Sequence, residues 1–143
     1  MKDKTILLIE DNPDDEALAV RALQRNHILN EIAVVRDGRE ALDYLLDESK
    51  PLPALVLLDW KLPKVSGLEV LQRVRATDRT ALLPVVILTT LQEEQDLLDG
   101  YRSGCNSFIR KPVDFAQFSE AMRQLQLYWL VINEPPPQNR KPQ

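Results

Sequence analysis

Five residues scattered along the chain are of types that could do chemistry together: Glu10, Asp11, Asp59, Thr89 and Lys111. Glu10 and Asp11 follow an apolar run at residues 5–9 and open the stretch "EDNPDDE", which holds no Lys or Arg to neutralise it. Asp59 ends "ALVLLD", Thr89 falls in "VVILTT" and Lys111 in "SFIRKP". Three carboxylates brought close together must share a cation or shift their pKa values. Oxygen ligands without His or Cys favour Mg2+, a hard ion that keeps several waters and accepts phosphate oxygens. Lys111 supplies a mobile positive charge and Thr89 a hydroxyl donor. A metal, a carboxylate nucleophile and charge neutralisation are the parts that phosphoryl transfer needs.

Such chemistry requires the five residues to meet, and the pattern of elements provides for it. Short apolar or β-branched runs at 5–9, 32–35, 54–58, 85–88 and 107–109 alternate with segments of helical spacing. Ala41, Leu42, Leu45 and Leu46 share one helical face; so do Val70, Leu71 and Val74, and so do Leu97, Leu98 and Tyr101. Asn12-Pro13 offers an N-cap followed by Pro at the first helical position. Ser66 to Glu69 and Asp114 to Gln117 have capping-box spacing, and Gly104 stands where a helix should stop. Strict alternation of strand and helix predicts an α/β fold: a five-stranded parallel sheet with helices on both faces. Four of the five strands end in a polar side chain, and ligands of open α/β sheets bind at the carboxyl ends of strands, near the topological switch point.

The chain has 143 residues, which predicts one domain with a proper core, spanning 1–133. Residues 134–143, "EPPPQNRKPQ", are expected to form a Pro-rich flexible tail that cannot continue a helix. A net charge of −4 disfavours nucleic acid as a partner. One cysteine, Cys105, permits no internal disulfide and no CxxC zinc site. No apolar run is long enough for a membrane span. A cytoplasmic location fits these features. Asp14, Asp15 and Glu16 are read as first-turn acids favoured by the helix macrodipole, not as ligands. Trp60 is read as a partly exposed aromatic beside the pocket, His27 as a helix-end residue, and Cys105 as a small buried one.

"LLIEDN", "LVLLDWKLPKVSG", "VVILTT" and "FIRKP", in this order and spacing, resemble the receiver domains of two-component response regulators, the CheY-like family. The likeness covers roughly residues 5 to 130. It implies a doubly wound sheet of order 2-1-3-4-5. It also implies that Asp59 accepts a phosphoryl group from a sensor histidine kinase. On this resemblance Asp11 is a direct Mg2+ ligand, Glu10 acts through water, and the backbone carbonyl of Lys61 is a third ligand beside Asp59. Thr89 is the hydroxyl that moves to the phosphoryl group, Lys111 pairs with it, and Lys111-Pro112 is a cis peptide. The aromatic switch position is Phe108, where Tyr is frequent, so a ring flip survives without a hydroxyl. Glu10 stands where Asp is commoner, lengthening one arm of the acid pocket.

The last helix is expected from about 114 to 133, with Phe118, Met122, Leu125, Trp129 and Ile132 on an apolar seam and Tyr128 beside it. At about 1.5 Å per residue it is longer than a small sheet needs for cover. Its greasy far end points to a protein interface, read as a homodimer through those six residues. "YWL", Cys105 six before the lysine, and "ATDRTALLP" also resemble single-domain regulators paired with cyanobacterial-type phytochromes. That likeness implies a phytochrome histidine kinase as donor. Little chain follows the helix, so the expected output is a protein–protein contact changed by phosphorylation. The expected protein is a signalling switch, not an enzyme, with only self-catalysed phosphotransfer and dephosphorylation. A Mg2+-dependent phosphohydrolase would want a second acid in Asp59-Trp60-Lys61, and a flavin module would want a Ser/Thr/Gly-rich phosphate loop after the first strand. A phosphorylation-independent scaffold is the remaining alternative.

Overall fold

Continuous apolar runs become strands in this computed structural model, which describes residues 5–25, 30–89, 94–111 and 114–124; the three central strands are buried throughout and the two edge strands mostly half-buried. The elements run β1 (Ile6–Ile9), α1 (Pro13–Arg25), β2 (Ile32–Val35), α2 (Gly38–Leu45), β3 (Leu55–Asp59), α3 (Gly67–Ala76), β4 (Val85–Thr89), α4 (Glu94–Arg102), β5 (Ser107–Arg110) and α5 (Phe115–Gln124). All five strands are parallel, in the order β2-β1-β3-β4-β5. The expected doubly wound sheet is therefore present, with its switch point between β1 and β3.

Strand parity sorts the core into two layers. Leu8, Leu57, Leu88 and Ile109 pack with Ala19 and Leu23 of α1 and Phe118 of α5. Ile9, Leu58 and Ile87 pack on the other face with Ala41, Leu42 and Leu45 of α2 and Val70, Leu71 and Val74 of α3. Burying each Leu-sized side chain contributes roughly 1.5–3 kcal/mol, so both layers are needed to hold a sheet this small.

The helix starts are capped as their sequences suggest. Asn12 Oδ1 accepts from the backbone N–H groups of Asp14 (2.8 Å) and Asp15 (3.0 Å). Ser66 Oγ accepts from Glu69 N–H at 3.2 Å. Asp114 Oδ1 accepts from Gln117 N–H at 2.8 Å, while the Gln117 amide pairs with both backbone groups of Arg110, tying β5 to α5. Helix α4 gives way to Gly104, whose φ of +98° suits only glycine comfortably. Arg75, in the last turn of α3, donates to the carbonyls of Leu83 (2.7 Å) and Gly104 (2.8 Å), fixing the entries to β4 and β5.

Two expectations, for Trp60 and for Phe118, need correction. Trp60 is buried in the α2–α3 layer instead of lining a pocket, because it has the parity of Leu58. On the α4 face, Leu98 and Tyr101 are exposed, and the Leu97 side chain lies outside the described residues. Phe118 is fully buried beneath α5, within the chain's own core, and so offers no surface to a dimer partner. The side chain of Met122 lies outside the described residues, as do Leu125, Tyr128, Trp129, Ile132, His27, Pro112 and the tail. No described helix is long and apolar enough to cross a membrane.

Candidate functional site

The sheet ladder continues one residue past several strands, and this aims the site. Glu10 N–H donates to Val35 O (3.0 Å), Trp60 N–H to Leu88 O (3.1 Å) and Lys111 N–H to Thr89 O (3.0 Å). Glu10, Asp59 and Lys111 each lie two residues beyond a residue of the α1–α5 layer, namely Leu8, Leu57 and Ile109. Parity thus turns all three side chains to one side of the sheet's carboxyl end. The loop after Asp59 is held close: a Cβ at Gly67 would come within 2.7 Å of the Asp59 carbonyl oxygen, so the chain can fold back there only on glycine.

Lys111 is the hub. Its ammonium lies 2.8 Å from Glu10 Oε1, 3.0 Å from Asp15 Oδ2 and 3.2 Å from Asp59 Oδ1, and its side chain is only 8% exposed. Asp59 Oδ1 also accepts from Lys61 N–H at 3.3 Å. Glu10 Oε2 accepts from Asn12 N–H at 3.2 Å. Carboxylate oxygens of Glu10, Asp11 and Asp59 lie within 4.8 Å of one another, with Asp11 open to solvent and the other two buried. A cleft of about 200 Å3 opens over these groups, with Thr89, buried at the end of β4, and Lys61 in its wall.

Electrostatics follow from this crowding. Burial, then a hydrogen bond to Glu10 and its charge, push the Asp59 carboxyl up to about 7, against the pull of Lys111 and the Lys61 N–H. Burial works against the Lys111 ammonium, yet its bonds to Glu10 and Asp15 and the nearby carboxylate charges hold it above its ordinary value. Three carboxylates share the Lys111 ammonium and a fourth, Asp11, lies beside Glu10 and Asp59, leaving an excess of negative charge that a divalent cation would balance. The donors are all oxygens, they converge, and Asp11 gives access from solvent, so the residues fit a hard divalent ion.

The structure brings together Glu10, Asp11, Asp59, Lys61, Thr89 and Lys111. Phe108 sits apart, half-buried, its ring 5.0 Å from that of the exposed Tyr101 and against Gly100. Sequence reasoning missed Asp15, which reaches into the cleft and binds Lys111. A signal was present: Asp15, Ala19 and Leu23 recur at intervals of four, and the latter two face the sheet. The macrodipole account was sufficient for an acid in a first turn, and it hid the stripe.

Comparison with known proteins agrees with this geometry. The family model described as response regulator receiver domain matches residues 6–123. The probable methanogenesis regulatory protein FilR2 of Methanothrix harundinacea is 41% identical over 134 residues, 92% of this chain and 86% of that protein. The solved structure of the bacteriophytochrome response regulator AtBRR is 48% identical with a TM-score of 0.82, covering 94% of this chain and all of the other. The Mn2+-bound form of the response regulator Rcp1, a protein of Synechocystis sp., is 31% identical with a TM-score of 0.73, covering 93% of this chain and 99% of the other.

Proposed function

The chain belongs to the response regulator receiver family, and on that premise we propose that Asp59 is the group that accepts a phosphoryl from a sensor histidine kinase. A single observation carries the reading: the buried Asp59 carboxylate lies 3.2 Å from the Lys111 ammonium and shares an acid cluster with Glu10 and Asp11. In the transfer, an Asp59 carboxylate oxygen forms a bond to phosphorus as the phosphorus–nitrogen bond to the donor imidazole breaks; the electron pair of that bond stays with the imidazole. Lys111 holds Asp59 and offers an N–H to an incoming phosphoryl oxygen, and the Lys61 N–H keeps the carboxylate oriented. Thr89 contributes its hydroxyl once the phosphoryl group is in place. Asp11, Asp59, the Lys61 carbonyl and, through water, Glu10 would hold Mg2+, which when bound neutralises charge on the transferring group.

Transfer and loss of the phosphoryl group are self-catalysed in this reading, and the protein is otherwise a switch. Added charge at Asp59 draws Thr89 and Lys111 inward, Phe108 follows, and partner affinity shifts on the exposed side of α4 and β5. The likeness to bacteriophytochrome regulators supports a phytochrome histidine kinase as donor. The same proposal takes 1–133 as the receiver unit, with Met122, Leu125, Tyr128, Trp129 and Ile132 joining two copies, and places the protein in the cytoplasm. Incubation with radiolabelled acetyl phosphate and Mg2+ tests the acceptor. The wild-type chain should take up acid-stable, alkali-labile label and Asp59→Asn should take up none; undiminished labelling of Asp59→Asn would exclude Asp59.

A further inference from the structure

We infer that Asp15 is a positioning residue for the phosphoryl site, the acid that holds the Lys111 ammonium when Glu10 is engaged with a cation; this rests on the acceptor role proposed for Asp59. An ammonium has three N–H donors, and three carboxylates surround that of Lys111: Glu10 at 2.8 Å, Asp15 at 3.0 Å and Asp59 at 3.2 Å. Each partner is called on differently. Asp59 gives up its charge when it becomes an acyl phosphate, and the N–H aimed at it is then free for a phosphoryl oxygen. Glu10 belongs to the acids whose oxygens converge within 4.8 Å, so its carboxylate faces a demand from any cation held there. Asp15 is not among those three. It stands on the first turn of α1, on the stripe that Ala19 and Leu23 anchor to the sheet, so its backbone is fixed independently of the site loops. The acids therefore divide into a cation-facing set and one lysine-facing member. Without Asp15, a flexible lysine stem would keep only a shared partner to set its direction.

A binding cycle separates this role from a further metal ligand. Beryllofluoride, a phosphoryl mimic, is titrated at saturating Mg2+ into wild type, Asp15→Ala, Asp15→Asn, Lys111→Met and the double variant Asp15→Ala/Lys111→Met, with folding of each checked by circular dichroism. Loss of the tether should raise the half-saturating beryllofluoride of Asp15→Ala about tenfold, the scale of one charge-assisted hydrogen bond. Asp15→Asn keeps an acceptor oxygen at the same place and should recover most of that loss. In the Lys111→Met background Asp15→Ala should add nothing, since the two residues act through one contact. An unchanged or tighter affinity in Asp15→Ala, or a loss that persists at full size without Lys111, overturns the inference and leaves the Asp59 reading standing. A wild-type chain that binds no beryllofluoride overturns both.

Discussion

At the scale of the residue, the site is a contest over one proton and one ammonium. Asp59 is held at about 7 in the fold, against 3.8 for the free group, with burial as the first cause and Glu10 the second. The folded state therefore binds the Asp59 proton more tightly than the unfolded chain does. That contribution is fully present below about pH 4 and is lost as pH rises through about 7. Without divalent ions, Asp59→Asn should thus gain stability over wild type as pH climbs from about 5 to 8, by something on the order of 1–3 kcal/mol. Urea unfolding of the two proteins at several pH values checks this, and a difference that stays flat with pH would contradict it. The residues that give the site its chemistry were largely legible in the sequence, because each ends a recognisable strand. Asp15 was not, because a favourable account of a first-turn acid existed without any contact. Its place became visible only when α1 was seen to turn the Asp15–Ala19–Leu23 stripe to the sheet.

At the scale of the element, strands and caps could be read locally and faces could not. A run such as "LVLL" is apolar on both sides only in a covered parallel strand, and Asn12 or Ser66 caps whatever helix follows it. Which layer a side chain enters depends on parity counted from neighbouring strands, and this decides that Trp60 is core while Asp59 is not. Periodicity finds the Leu98–Tyr101 stripe without saying whether anything covers it; on this chain both are exposed. The last helix divides likewise. Phe118 belongs to the chain's own core, so the interface proposed for this helix excludes it. A chain ending at Gln124 should sediment as a monomer and still bind beryllofluoride, while the full-length chain sediments as a dimer at micromolar concentration. Dimers of the shortened chain would remove residues 125–133 from the interface.

At the scale of the molecule, the sheet gathers what the sequence disperses. The switch point between β1 and β3 puts Glu10 and Asp59 on neighbouring exits, and β5 returns Lys111 to the same side. A cleft with four acids and one buried ammonium is ill suited to rest without a cation, and stabilisation by Mg2+ should amount to about 2.7 kcal/mol at a hundredfold excess over its Kd. From this cleft β5 leads to Phe108, whose ring lies 5.0 Å from that of the exposed Tyr101. All of it depends on the acid cluster being one binding site for cation and phosphoryl group together. A crystal structure grown with Mg2+ and beryllofluoride tests that most directly. Beryllium should be bonded to an Asp59 carboxylate oxygen, with Lys111 on a fluoride and one Mg2+ in contact with both Asp11 and Asp59. Beryllofluoride bound elsewhere, or Mg2+ held without Asp11 and Asp59, would contradict the account.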